Sequence, residues 1–372
     1  MTQVKLYDTT LRDGMQGYGM SLSASEKVRV VHALDRLGVQ YVEAGFPASN
    51  PKEAELFELL ADEPLEQAQV CAFGMTRRRG VEADQDEALR LLAETFAPVV
   101  TLVGKTWSLH LEKVTKVSRE ENLAMIGDSI RFLRESGKRA MYDAEHFFDA
   151  FRDDPGYAIT CLREAAAAGA ETVVLCDTNG SSLPDQIAAA TRAVREALPA
   201  EVELGIHVHD DLECAVANSL AAVREGVRQV QGTINGYGER CGNANLVSIL
   251  PSLQLKMGFE VVSAEQLAGL SATSHFVAEL LNVAVDPNQA YVGKNAFAHK
   301  GGMHVAGIAA DARTFEHMDP AVVGNSRAVL PSELSGKATI VSRAEELGLE
   351  LDDEAAREVV EELKRREHEG YH

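Results

Sequence analysis

Short runs of β-branched and apolar residues recur along the first 258 positions, at Val4–Thr9, Tyr41–Phe46, Gln69–Phe73, Val99–Val103, Arg139–Glu145, Thr172–Thr178, Val202–His209 and Arg228–Ile234. Runs of this length between turn residues read as strands, and the intervening stretches, with apolar positions three and four apart, read as amphipathic helices. Helix boundaries are marked as well. Ser23-x-x-Glu26 and Ser118-x-x-Glu121 are capping-box patterns, and Gly38, Gly137, Gly169 and Gly226 stand where left-handed helix ends belong. Eight strand–helix units with right-handed crossovers close into a barrel. The pattern predicts an α/β fold, a (β/α)8 TIM barrel over residues 1–258.

After Gly258 the pattern changes. Ser263–Asn282 predicts one amphipathic helix. The segment DPNQAYVGKNAFAHKGGMHVAGI (286–308) reads as a functional loop entering a short helix, Asp319–Gly336 is punctuated by Pro and Gly, and Asp353–Glu369 predicts a charged terminal helix. This divides the remainder into a linker or accessory subdomain at 259–325, carrying the GGMH motif, and a helical accessory subdomain at 326–372.

Composition narrows the classes of function. A chain of 372 residues, 45% of them hydrophobic, supports a barrel-sized core plus about a hundred further residues. No apolar run approaches the roughly 20 residues of a membrane span, and MTQVKLYD lacks the apolar core of a signal peptide, so a cytoplasmic protein is expected. Five cysteines without a C-x-x-C pair read as reduced thiols. A net charge of −21 disfavours nucleic acid and anionic membranes as partners. An anionic substrate then needs a local positive site, from a metal ion, Arg12 or lysines. The run Arg77–Arg79 is either a solvated face or a phosphate contact.

The chemistry concentrates in TTLRDGMQG (9–17) and GIHVHDD (205–211). Alternation on a strand puts His207 and His209 on one face, about 6–7 Å apart. H-x-H alone is compatible with two hydrogen-bonded strand residues. Here, however, Asp13, Glu43, Glu145, Asp177, Thr178, His207 and His209 all fall at the carboxyl ends of predicted strands, where barrel active sites are built. Strand seven neighbours strand one across strand eight, so Asp13 and the two histidines converge. Two imidazoles and a carboxylate leave open coordination positions on a divalent ion such as Zn²⁺, Mn²⁺ or Mg²⁺, the arrangement of a catalytic site. Thr178 is either a substrate-binding hydroxyl or part of a strand-end turn, and His304 is either catalytic or a hydrogen-bonded helix-start residue.

DTTLRDGMQG, DTNG, HVHDD and NGYGERCGNAN together resemble the signatures of the 2-isopropylmalate, citramalate and homocitrate synthase family, among the DRE-TIM metallolyases. Within it, VGKTWSLHLEKVTKVSREENLAMI, YDAEHFFDAF, YVGKNAFAHKGGMHVAGI and the tail from FEHMDP to SELSGKATI are most similar to the longer type of (R)-citramalate synthase. The resemblance implies an acyltransferase of branched-chain amino-acid (isoleucine) biosynthesis, joining acetyl-CoA as co-substrate to a 2-oxo acid, pyruvate, in a metal-assisted Claisen condensation followed by thioester hydrolysis. It implies Asp13, His207, His209 and Asn243 as metal ligands, Arg12 on the developing alkoxide, and Glu145 and His304 as catalytic groups. Arg12, His110 and Thr178 would bind substrate, with Asp177 and Glu239 orienting Arg12 or the ligands. It also implies a homodimer in which His304 reaches the neighbouring subunit. The family's C-terminal regulatory domain is expected to be absent, since the sequence ends at EHEGYH, and YVEAGFP replaces a Gly-Gly-Trp variant. 2-Isopropylmalate synthase and homocitrate synthase are the alternatives within the family. An acyl-CoA lyase would lack GGMHVAGI and SELSGK, and a barrel without catalysis would have little reason to keep Arg12, Asp13, His207, His209 and His304.

Overall fold

A computed structural model describes residues 2–47, 49–329 and 337–371. Two compact units are present, one of residues 1–266 and 273–283 and the other of 267–272 and 284–372.

The first unit is a closed barrel of eight parallel strands in sequential order: β1 (Lys5–Asp8), β2 (Tyr41–Gly45), β3 (Gln69–Met75), β4 (Val99–Lys105), β5 (Arg139–Glu145), β6 (Thr172–Asp177), β7 (Glu203–Val208) and β8 (Gln229–Gly232). All eight expected runs are strands. β1 closes the barrel against β8, with Tyr7 opposite Gln231. Toward the amino ends of the strands, Tyr7, Tyr41, Cys71, Val99 and Met141 form a buried apolar layer. Each such side chain contributes on the order of 1.5–3 kcal/mol. This packed floor leaves the opposite rim free to carry polar groups.

The expected helix ends are present. Ser23 and Glu26 form the full reciprocal capping box. At Ser118 only half of it forms: the hydroxyl accepts from Glu121 N–H, while the Glu121 carboxylate takes Arg77 and Gly80 instead. Gly38, Gly137, Gly169 and Gly226 all have positive φ. The helix expected over Ser263–Asn282 is split into Ala264–Leu267 and Leu270–Leu280, because Ala268-Gly269 forms a turn and glycine holds a helix interior poorly.

In the second unit, β9 (Ala298–His299) pairs in parallel with β10 (Ala328–Val329), and a helix spans Gly302–Ala310. Helices Lys337–Glu346 and Asp353–His368 pack through Ile340, Ala356 and Val360. Residues 332–336 of the SELSGK motif lie outside the described residues. Among the described residues, no helix is long and apolar enough to cross a membrane.

Candidate active site

Asp13 follows β1, His207 lies on β7 and His209 one residue beyond it. Asp13 Oδ2 is 3.4 Å from His207 Nε2 and 4.0 Å from His209 Nε2, and the two Nε2 atoms are 3.4 Å apart. All three residues are buried. One ligand atom from each lies within 4.8 Å of the others, close enough to share one cation. Asp13 Oδ1 and the Asn243 carbonyl oxygen are buried without a hydrogen-bond partner. An acceptor left so costs about 1–3 kcal/mol, and more when charged. Hard oxygen donors and paired imidazoles therefore fit a divalent ion.

Burial works against the charge on Asp13, but the Arg12 guanidinium and the two imidazoles outweigh it and hold the carboxyl well below the usual carboxylate range. Burial also disfavours protonation of His207, yet Asp13 raises its pKa, while burial and the His207 charge lower His209 to about 4.

The loop after β8 runs back along the end of β7. Ala244 N–H donates to Val208 O and Asp210 N–H to Gly242 O, and an antiparallel bridge sets Asn243 beside His209. Asn243 Nδ2 donates to Tyr237 O at 3.1 Å, so its carbonyl oxygen is the atom left for a ligand role. Arg240 clasps Asp211 and donates to Thr178 O at 2.8 Å, joining the ERCGN, HVHDD and DTNG segments into one rim. Two glycines are required there. At Gly242 (φ +100) a Cβ would lie 2.0 Å from Gly236 O, and at Gly180 (φ +58) it would lie 2.5 Å from Asp211 Oδ2.

Arg12 donates its Nε–H to Glu43 at 2.6 Å and Nη1 to Asp13 at 3.1 Å, with its guanidinium carbon 4.0 Å above the Phe73 ring. Glu43 in turn accepts the Tyr7 hydroxyl at 2.8 Å, and Tyr7 meets Thr101. Asp177 and Glu239, expected to orient Arg12 or the ligands, make other side-chain contacts. The Asp177 carboxylate accepts from the amides of Ser181 and Ser182, its own following turn, and Glu239 is exposed near Arg240. Short strand-end aspartates satisfy nearby amides first.

Glu145 closes β5 and accepts from Lys105 at the end of β4. The Thr178 hydroxyl accepts His146 N–H at 2.9 Å, so it has a structural bond whether or not it meets substrate. His110 packs edge to face against His146, 4.3 Å between ring centroids, and its Nδ1 is buried without a partner. His304 belongs to the second unit, where its ring stacks on Phe315 at 4.2 Å. Arg77 pairs with Glu121 and Asp128 and Arg78 with Asp86. Those two cations are already neutralised by carboxylates on their own chain.

Residues 3–277 match the family model described as HMGL-like, and residues 291–370 match homocitrate synthase post-HMGL domain-like. The chain is 48% identical to the (R)-citramalate synthase of Geobacter sulfurreducens over all of its own length and 70% of that protein's. It is 46% identical to the one from Synechocystis sp., covering all of this chain and 69% of the other. Among solved structures, the HMG-CoA lyase of Bacillus subtilis superposes with a TM-score of 0.65 at 18% identity, over 77% of this chain and 96% of that one, which bears on the fold alone. A barrel rim built on these motifs, and full-length identity approaching one half, lead to one conclusion: the chain belongs to the HMGL-like family and, within it, to the (R)-citramalate synthases.

Proposed function

We propose that the barrel condenses acetyl-CoA with pyruvate to give (R)-citramalate and CoA. The observation that carries the reading is the Asp13–His207–His209 cluster set directly against Arg12. Asp13, His207, His209 and the Asn243 carbonyl would hold a divalent ion, which as a Lewis acid polarises a ketone oxygen. Arg12 donates to the same oxygen as charge develops on it, and the Glu43 bond keeps its planar fork in place. The acetyl methyl group gives up a proton, its carbon attacks the ketone carbon, and the resulting alkoxide takes up a proton. Water then displaces the CoA thiol from the thioester. Glu145 lies on the barrel rim for proton transfer, and Thr178 and His110 are assigned to substrate binding.

His304 is assigned as the base for the methyl proton, supplied to each site by the other subunit of a homodimer. The five cysteines are free thiols, in keeping with work in the cytoplasm. The test is acetyl-CoA-dependent thiol release measured with pyruvate, 2-oxoisovalerate and 2-oxoglutarate in turn. A recess sized for methyl excludes isopropyl by overlap, so kcat/KM should favour pyruvate over 2-oxoisovalerate by at least about 10²-fold. Equal or reversed preference moves the assignment to 2-isopropylmalate synthase.

A further inference from the structure

Two buried side chains on the barrel wall have no part in the scheme above. Gln231 of β8 is fully buried and Asp143 of β5 nearly so. Gln231 Nε2 donates to Asp143 Oδ1 at 3.0 Å, and Gln231 Oε1 lies 3.0 Å from His207 Nδ1. With Asp143 ionised, the order of donors follows. A carboxylate oxygen can only accept from the amide, so Asp143 fixes which end of Gln231 turns toward it. The carbonyl end must then face His207, and a carbonyl can only accept. In the neutral ring His207 Nδ1 therefore carries the proton, and Nε2, the atom 3.4 Å from both Asp13 Oδ2 and His209 Nε2, presents its lone pair.

We infer that Asp143 and Gln231 form a positioning relay that locks His207 in the tautomer able to ligate a metal. The inference rests on the metal reading of the Asp13 cluster. It assigns to two buried wall residues the task that orienting partners of ligating histidines perform, commonly worth 10–100-fold in metal affinity. In solution a neutral imidazole is free to place its proton on Nε2, which would block coordination there. The relay removes that choice before any ion arrives.

The test uses the full chain with Gln231→Leu, which removes the acceptor, and Gln231→Glu, which keeps an oxygen facing Nδ1. Circular dichroism and thermal melts establish that each variant folds. Histidine ring ¹⁵N spectra of metal-free protein, taken where His207 is neutral and assigned against His207→Asn, read the tautomer. Mn²⁺ and Zn²⁺ affinities follow from chelator competition. The parent and Gln231→Glu should show the Nδ1–H form and bind the ions within a few-fold of each other. Gln231→Leu should shift toward the Nε2–H form and bind 10–100-fold more weakly. An Nε2–H tautomer in the parent, or an unchanged tautomer and affinity in Gln231→Leu, overturns the relay. Failure of the parent to bind any divalent ion would overturn the metal reading instead, and the spectra would still decide the relay. If Gln231→Leu does not fold, a loss of the Nδ1–H form or of affinity in Gln231→Glu is the overturning result.

Discussion

Glu43 accepts the Arg12 Nε–H at 2.6 Å from the middle of β2, with no solvent exposure, and its other oxygen takes the Tyr7 hydroxyl. The guanidinium beside Asp13 is thus held by a carboxylate that is itself held. Burial opposes the charge on Arg12, but Glu43 and then Asp13 raise its pKa above the already high ordinary value. Arg12→Lys keeps a charge and loses the fork, so kcat should fall by about 10²-fold or more. Glu43→Gln keeps an acceptor and loses the charge, and should lower kcat by about 10-fold with metal affinity within a few-fold of the parent. Steady-state kinetics and chelator competition check both, and a change confined to KM in Arg12→Lys would remove it from the role proposed.

His207→Ala and His209→Ala should each abolish detectable turnover and weaken divalent-ion binding while leaving the far-ultraviolet dichroism of the barrel intact. Both residues sit on the rim rather than in the apolar floor, so their loss opens little of the packed core. Near-normal turnover of either variant in chelator-treated buffer would contradict the ligand assignment.

Asp8 supplies a pH signature unrelated to catalysis. It is fully buried, and although Thr10 donates to both of its oxygens, burial raises its pKa to about 7. A carboxyl whose folded pKa exceeds its unfolded one contributes stability that is complete below about 3.9 and is lost as pH rises through the folded value. The stability of the parent relative to Asp8→Asn should therefore decline between about pH 4 and 8, by at most on the order of 4 kcal/mol. Denaturant titrations at fixed ionic strength measure the difference. A difference that grows with pH would place the Asp8 pKa below its unfolded value.

His304→Ala and His207→Ala proteins, each inactive alone, should regain activity when mixed and allowed to exchange subunits. In such a heterodimer one site has both residues intact. No recovery after demonstrated exchange would return His304 to its own chain's site or remove it from catalysis.

The strands, the helix ends and the Asp13–His207–His209 convergence were legible because each depends on spacing within one segment or on which strands adjoin. The partners of Arg12 and His207 were not. Glu43 meets Arg12 across 31 residues, and Gln231 meets Asp143 across 88, through the barrel interior. Such pairs depend on pleat and register rather than on local pattern. Asp177 misled for a related reason: it stands at a strand end like a catalytic carboxylate, but the Thr-Asn-Gly-Ser-Ser turn after it offers two amides within five residues. Glu121 left its capping box for Arg77, 44 residues away. The apolar periodicity of Ser263–Asn282 runs straight through Gly269, where the backbone turns and the helix breaks in two.

Asp13 and His207 stand 194 positions apart in the chain and yet 3.4 Å apart in space. Between their strands lies β8, the last barrel strand to be synthesised and the one that seals β7 to β1. A cation held by both would bridge the seam where the cylinder closes, and the site for it would form only with that closure. Closing so long a loop carries a large entropic cost that only late, non-local contacts repay. An ion bound there would mark completed folding: a seam-opened chain would lack a pocket for it, and the bound ion would in turn resist reopening of the seam.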